Sequence, residues 1–199
     1  MKLHPITAQS FAIIDREIGS HSFSKSEYEI IRRAIHSTAD FELQNLFEFS
    51  ETAIDSGIEA IRRNRSIVVD VRMVKMGISS TLERAKKSEA LCALDYLGEG
   101  KTRTAAGIRT LARQYPYGIF VIGNAPTALL ALVDEIHAGN ARPALAIGVP
   151  VGFVAVEESK QALAETEVPK IIVRGRKGGS PVAASIVNAL VHLADESSL

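Results

Sequence analysis

Beyond residue 50, short runs of β-branched and apolar residues alternate along the chain with segments of helical periodicity. A strand, a helix and another strand at this spacing form a βαβ unit, and successive units build a parallel sheet that helices cover on both faces. The sequence therefore predicts an α/β protein, a three-layer α/β/α sandwich with a mostly parallel sheet of about five strands. The predicted strands are "SIVVDV" (66–71), "EALCALDY" (89–96), "GIFVIG" (118–123), "ALAIGV" (144–149) and "KIIVRG" (170–175).

Apolar residues at helical spacing predict the helices between these strands. The first fifty residues are also predicted to be helical, and we expect them to pack on the sandwich or on a partner subunit. Neither an internal repeat nor a low-complexity linker divides the sequence, so residues 1–199 are predicted to form a single domain. The predicted helices of the sandwich cover 52–63, 78–87, 104–114, 126–138, 157–165 and 181–194.

The charge and hydropathy of the chain exclude several classes of protein. Lysine and arginine together number 23, as do aspartate and glutamate, so the chain lacks the basic excess typical of a nucleic-acid-binding protein. No apolar run approaches the roughly 18 to 20 residues that span a bilayer, and "MKLHPITAQS" has no apolar stretch of the signal-peptide type. We therefore expect a cytoplasmic protein that binds neither nucleic acid nor membrane.

Patterns that mark metal and nucleotide sites fail in this sequence. Cys92 is the only cysteine and lies in the apolar run "ALCALDY", so we expect a buried core residue, no disulfide and no zinc cluster. The histidines other than His36 have no metal-ligand spacing. The stretch "GEGKT" (98–102) is not a Walker A loop, because Asp95 occupies the position of its first glycine.

Glycine-rich loops follow three of the predicted strands: "IGNAPTALL" (122–130), "GVPVGFV" (148–154) and "GRKGGSPVAA" (175–184). In an open parallel sheet, ligands bind outside the carboxyl ends of the strands. Loops that lead into a helix present backbone N–H groups to anions, and Arg176 and Lys177 add positive charge. We therefore expect an anionic ligand at this edge of the sheet.

The stretch "YEIIRRAIHSTADFELQNLFEF" (28–49) carries a histidine outside its apolar stripe. On a helical wheel, His36 lies away from Ile31 and Ile35 and on the same side as Arg32 and Arg33. Truncation of His36 should therefore open no cavity in the core. Its position leaves two interpretations open, a functional group or a residue of a surface junction.

Capping residues place His36 at the end of a helix. Ser24 and Glu27 form a predicted capping box where the helix begins, and Ser37 or Thr38 is expected to cap a second helix that begins near Asp40. His36 then lies at a helix C-terminus, beside arginines and close to a carboxylate.

Seven stretches of the chain, taken in order, carry a family resemblance. They are "QSFAII" (9–14), "RRAIHSTADF" (32–41), "DVRMVKMGI" (70–78), "TRTAA" (102–106), "GNAPTAL" (123–129), "GVPVGFVAVEESK" (148–160) and "GRKGGSPVAA" (175–184). Together they resemble the precorrin-8X methylmutase family of corrin (vitamin B12) biosynthesis, which includes the cobalt-precorrin-8 methylmutases. The resemblance spans nearly the whole chain, and "GNAPTAL", "PVGFV" with "ESK", and "GRKGGS" are its most specific parts.

The resemblance implies an isomerase that moves a methyl group from carbon 11 to carbon 12 of a tetrapyrrole (precorrin) substrate and gives a corrinoid product. This is formally a sigmatropic shift, for which the resemblance implies no cofactor and no metal ligand in the protein. It implies that His36 is the proton donor and acceptor, and that the protein is a homodimer with substrate near the subunit interface. The expected substrate-binding residues are Ser10, Arg33, Ser79, Arg103, Asn124 and Lys177.

Several alternatives remain open on the sequence alone. "IHSTADF" looks more like the cobalt-precorrin members of the family than the metal-free ones, so cobalt-precorrin-8 is favoured over precorrin-8X as substrate. A non-catalytic protein that binds or carries a corrinoid would share the carboxylate contacts without needing His36. A nucleotide-binding α/β protein would need the phosphate loop that Asp95 interrupts.

Overall fold

A six-stranded sheet runs through the centre of residues 4–196, the part of the chain that the computed structural model describes. Its strands are β1 (Phe47–Phe49), β2 (Ile67–Val69), β3 (Leu91–Cys92), β4 (Ile119–Ile122), β5 (Leu145–Gly148) and β6 (Lys170–Val173). Their order across the sheet is β1-β6-β5-β4-β2-β3, and every neighbouring pair is parallel except β1 and β6, in which Phe47 lies opposite Val173. The mostly parallel sheet predicted from the sequence is confirmed.

Helices cover both faces of this sheet. They are α1 (Pro5–Ile18), α2 (Lys25–Thr38), α3 (Ala53–Arg62), α4 (Arg72–Arg84), α5 (Arg103–Gln114), α6 (Pro126–His137), α7 (Val156–Ala164) and α8 (Ser180–Glu196). Side chains of β4 alternate between the two cores: Ile119 and Val121 pack with α3, α4 and α8, whereas Phe120 and Ile122 pack with α5, α6 and α7. The predicted three-layer α/β/α sandwich is therefore confirmed.

The N-terminal helices form an additional layer on one side of the sandwich. Helix α2 packs against α8, and α1 packs against α2. The apolar side of α2 is fully buried in this contact, with Ile31 at 0% and Ile35 at 1% exposure. The contact of α2 with α8 brings the end of α2 close to the loop that precedes α8.

Three boundaries differ from the sequence prediction. Residues 47–49 form an edge strand rather than a helix, because "FEF" pairs with β6 and stacks Phe47 on Phe49. The predicted strand 89–96 shortens to β3 and then turns into a 3-10 helix at Ala93–Asp95. Helix α4 begins at Arg72 instead of residue 78, since Val74, Ile78 and Leu82 are spaced to face the core.

Candidate active site

The loops at the carboxyl ends of β5 and β6 contact each other through their backbones. The N–H of Gly179 donates to the carbonyl of Val149 at 2.8 Å, and the N–H of Gly152 donates to the carbonyl of Arg176 at 3.3 Å. A Cβ atom at Gly178 would lie 2.3 Å from the Val149 carbonyl oxygen, so only glycine allows this approach. Two of the sequence-predicted ligand loops therefore form one surface at the expected edge of the sheet.

The third glycine-rich loop, after β4, is bound by a carboxylate of the chain itself. Asp70, directly after β2, is fully buried and accepts hydrogen bonds from the N–H groups of Gly123 (3.1 Å), Asn124 (2.8 Å) and Ala125 (2.7 Å). Burial raises the pKa of Asp70, and these three N–H donors oppose the rise. The expectation that this loop offers its N–H groups to an external anion is therefore wrong for 123–125.

Lys177 links the loop after β6 to the segment that follows α2. Its ammonium donates to Asp40 Oδ2 at 2.7 Å and to Glu42 Oε2 at 2.6 Å, and the hydrogen bond to Asp40 raises the pKa of Lys177. Asp40 also caps the 3-10 helix Phe41–Asn45 through the N–H of Glu42. These contacts join the cationic loop after β6 to the segment that follows the His36 helix.

His36 lies in the last turn of α2, and its side chain is exposed. Ala39 ends the helix in the left-handed conformation, with φ of 56°, and the predicted capping box at Ser24 and Glu27 is confirmed at the other end. The imidazole meets the ring of Phe11 edge-on, with 5.4 Å between centroids. His36 is therefore held by the contact between α1 and α2 while remaining open to a ligand.

The predicted cap of a second helix is wrong in its details. The hydroxyls of Ser37 and Thr38 both donate backwards to the carbonyl of Ala34 at 2.9 Å. Asp40 supplies the cap of the following 3-10 turn instead. Asp40 can do so because the turn begins at Phe41, two residues later than a helix capped by Thr38 would begin.

Arg33 and Ser10 lie on the same helix pair as His36. The Nε of Arg33 donates to Glu29 Oε1 at 2.6 Å, and its guanidinium lies 5.5 Å from the centre of the Phe11 ring. Ser10 precedes Phe11 in α1 and donates its hydroxyl to the carbonyl of Ile6 at 3.0 Å. Arg33 and His36 thus both contact the Phe11 ring, and Ser10 is the residue next to Phe11 in α1.

The hydroxyl residues of α4 are distributed differently from the sequence prediction. Ser79 donates to the carbonyl of Met76 and lines a groove with Lys75 and Glu83. Arg33, together with Ser80 and Thr81, lines a separate groove of about 230 Å³. Ser80 and Thr81 therefore share a groove with Arg33, and Ser79 does not.

The remaining predicted binding residues lie at the carboxyl edge of the sheet. Arg103 is the first residue of α5, exposed, and its guanidinium donates to the carbonyl of Leu94 at 3.2 Å. Asn124 is exposed in the loop that Asp70 holds. Sequence reasoning missed Asp70 itself and the buried Lys160, although an aspartate directly after the apolar run "IVV" was a usable signal for the first.

A large groove lies at the opposite edge of the sheet. It measures about 1040 Å³ and is lined by residues that precede the strands, among them Arg65, Tyr117, Arg142 and Glu167. None of the sequence-predicted site residues lines it. Ligands of open parallel sheets bind at the carboxyl ends of the strands. We therefore assign the candidate site to that edge of the sheet and not to this groove.

Residues 4–196 contain no group of three or more histidine, cysteine, aspartate or glutamate side chains that could hold a metal ion. Within the same residues, no helix is both long and apolar enough to cross a membrane. Cys92 is buried as predicted, and burial raises the pKa of its thiol.

The structure is that of an α/β protein whose glycine-rich loops meet at the carboxyl ends of its strands, and Lys177 of one loop binds Asp40, just after the helix that carries Arg33 and His36. The chain belongs to the precorrin-8X methylmutase family, whose sequence model matches residues 5–193. It is 50% identical to the cobalt-precorrin-8 methylmutase of Synechocystis sp., covering 96% of each chain. It is 43% identical to the cobalt-precorrin-8 methylmutase of Priestia megaterium, covering 96% of this chain and 88% of that one.

A solved structure has the same fold. The precorrin-8X methylmutase of Thermus thermophilus superposes with a TM-score of 0.89 at 41% identity, covering 98% of this chain and 100% of that one.

Proposed function

We propose that this protein is an isomerase of cobalamin biosynthesis that moves a methyl group from carbon 11 to carbon 12 of cobalt-precorrin-8 and gives cobyrinate. The observation that carries the proposal is the exposed His36 beside Arg33, within a chain that matches the methylmutase family over residues 5–193. We place the enzyme in the cytoplasm.

The methyl shift needs two things from the protein. One is a macrocycle held in a single conformation, and the other is a proton donor and acceptor at the conjugated system. His36 is the candidate for the proton transfer because its ring is exposed and its position is fixed by Phe11. The acetate and propionate groups on the rim of the macrocycle suit guanidinium groups such as those of Arg33 and Arg103.

The cobalt-containing substrate is favoured by the relatives. Those at 50% and 43% identity are both named cobalt-precorrin-8 methylmutase. The motif "IHSTADF" (35–41) points the same way. Cobalt would arrive in the substrate, so this proposal requires no metal ligand from the protein.

Incubation with cobalt-precorrin-8, and separately with metal-free precorrin-8X, tests the activity. We expect the absorption spectrum to change as the corrin chromophore forms, and to change faster with the cobalt substrate. Faster conversion of precorrin-8X would overturn the choice of branch. Stoichiometric binding of both compounds without conversion would instead identify a corrinoid carrier.

Arg103→Ala is expected to raise KM by about 10- to 100-fold while kcat stays within about twofold. One lost hydrogen bond to a charged group typically costs about 1.5 to 3 kcal/mol, and a carboxylate on the rim is bound alike before and during the methyl shift. Steady-state kinetics on cobalt-precorrin-8 provide the measurement. Arg65→Ala, an exposed arginine at the opposite edge of the sheet, is the control and should change neither constant. A large drop in kcat with unchanged KM would refute the anchoring role of Arg103.

We also propose that the protein is a homodimer whose partner subunit covers the groove beside Arg33. That groove, about 230 Å³, is smaller than the roughly 300 to 1,000 Å³ of drug-sized ligand pockets, so one chain does not enclose a macrocycle there. Met73 and Met76 of α4 are 68% and 70% exposed, and Met76 lies one helical turn from Ser80 of the groove. Such exposed apolar side chains are typical of an interface.

Light scattering is therefore expected to give twice the mass of the chain. Met76→Glu should shift the mass toward that of a single chain, because a charge would be buried at the interface. Tyr117→Glu, an exposed apolar position at the opposite edge, should leave the dimer intact. A single-chain mass at all concentrations would remove the proposal.

A further inference from the structure

Lys160 is a buried lysine that the proposed reaction does not use. It lies in α7, is 3% exposed, and its ammonium donates to the carbonyls of Gly175 and Lys177, each at 2.7 Å. Burial lowers the pKa of Lys160 to about 8, and Glu157 on the same helix opposes the shift. Burying a charged group is costly unless the group is hydrogen-bonded, and the two backbone carbonyls supply the hydrogen bonds that the ammonium of Lys160 needs.

Both acceptors belong to the loop between β6 and α8, which has little conformational preference of its own. The φ values are +67° at Gly175, +145° at Gly178 and +110° at Gly179. Glycine adopts many other backbone conformations at little cost, so these residues do not hold the loop in one conformation by themselves. Charge-assisted hydrogen bonds are about twice as strong as neutral ones, and here they fix carbonyls two residues apart. Lys160 therefore selects one conformation of this loop.

The fixed loop determines where the side chain of Lys177 points. The carbonyl of Lys177 accepts a hydrogen bond from Lys160. The ammonium of Lys177 donates to Asp40 at 2.7 Å and to Glu42 at 2.6 Å. Asp40 lies four residues after His36, at the junction that ends α2. A continuous set of contacts thus runs from Lys160 through Lys177 to the segment after His36.

We infer that Lys160 is a positioning residue for the His36 site, which it orders by fixing the 174–179 loop so that Lys177 holds Asp40 and Glu42. The inference rests on the proposed function for its kinetic consequences, but the ordering of the two segments is independent of any substrate. Lys160 itself, at 3% exposure, acts through these contacts and not on the macrocycle.

The positioning depends on the charge of Lys160. The charged groups around it are Glu157 on α7, Arg176 and Lys177 on the loop, and Asp40 and Glu42 beyond Lys177. Above about pH 8 the ammonium of Lys160 becomes a neutral amine, and its hydrogen bonds weaken.

The stability of the fold responds differently to pH. Because folding lowers the pKa of Lys160, the unfolded chain binds more protons than the folded chain between about pH 8 and pH 10.5. The contribution of Lys160 to stability therefore rises with pH in that window. Loss of positioning above pH 8 is therefore distinct from loss of the fold.

Hydrogen exchange tests the ordering without substrate. We expect Lys160→Met to speed amide exchange about tenfold or more in both 37–42 and 174–179. The matched control is Lys170→Met, since Lys170 also donates to a backbone carbonyl, that of Thr166, but at the opposite edge of the sheet. Unchanged exchange of 37–42 in Lys160→Met, or equal acceleration in Lys170→Met, would overturn the inference. If Lys160→Met does not fold, exchange of wild type at pH 7 and pH 9, corrected for intrinsic rates, decides the same question.

Kinetics on cobalt-precorrin-8 test the consequence for the reaction. Lys160→Met is expected to lower kcat about tenfold, and Lys160→Arg, which keeps a charged donor, to recover most of that loss. The wild-type rate should decline above about pH 8, and that decline should be absent in Lys160→Arg. A similar decline in Lys160→Arg would contradict the assignment. If wild type converts no substrate, the proposed function fails while the exchange measurements still decide the role of Lys160.

Discussion

His36→Ala is expected to slow methyl migration at saturating substrate by about 10²- to 10⁴-fold, the usual contribution of a positioned proton donor and acceptor. The fold should be retained, because the imidazole is exposed and its aromatic contact is a T-shaped one with Phe11. Affinity for the product should also be largely retained, since the carboxylate contacts are left in place. Single-turnover rates and a spectroscopic titration with the corrinoid product measure the two quantities separately.

His21→Ala provides a matched control for this variant. His21 is likewise exposed and likewise contacts aromatic rings, those of Tyr28 (4.1 Å between centroids) and Phe23 (5.3 Å), but it lies near the other end of α2. It should leave the single-turnover rate unchanged. Turnover of His36→Ala close to that of wild type would return His36 to a junction role, and loss of both product binding and fold would make it a structural residue.

Features that depend on local periodicity were predictable from the sequence. All five strands predicted beyond residue 50 are present, and His36 was placed off the apolar stripe because Ile31 and Ile35 mark the buried side of α2. The three-residue strand β1 was not predicted, since it is defined by its pairing with β6, more than a hundred residues later. Short edge strands carry too little periodicity to be recognised alone.

The site residues also divide into those that are close together in the sequence, which could be grouped, and those that only the fold brings together. Side chains such as Arg33 and His36 could be grouped because one helix carries both. The partners of Lys177 could not be, since Asp40 and Glu42 lie 137 and 135 residues away in the sequence. A lysine in such a loop is expected to be available to an anionic ligand. The structure shows that the ammonium of Lys177 already donates to two carboxylates. Whether Lys177 also binds substrate stays a prediction.

Asp70 was missed for a related reason. Glycine-rich loops before a helix predict an anion site, and the loop after β4 is one, but its anion is the side chain of Asp70, directly after the neighbouring strand β2. The sequence separates Asp70 from Asn124 by 54 residues, and only the parallel pairing of β2 with β4 brings them together.

Asp70→Asn is expected to lower the free energy of unfolding by about 2 to 4 kcal/mol and to weaken product binding. The amide keeps one acceptor oxygen but turns an N–H₂ group toward backbone N–H groups, which leaves buried donors without acceptors at the start of α6. The loop that carries Asn124 should then lose its fixed position. Denaturant unfolding and product titration measure the two effects.

Glu135→Gln separates the loss of stability from the loss of the site. Glu135 is 1% exposed near the other end of the same helix, α6, where Arg109, Arg113 and Asn140 donate to its carboxylate. The hydrogen bond from Arg113 lowers the pKa of Glu135, so its stabilisation is present at neutral pH and is lost as the pH falls through that lowered pKa. This variant should also destabilise the fold at neutral pH, because it removes the charge of a buried carboxylate that pairs with Arg109 and Arg113, yet it should bind product as wild type does. Equal product affinity in Asp70→Asn and Glu135→Gln, at temperatures where both are folded, would show that Asp70 holds the scaffold and not the site.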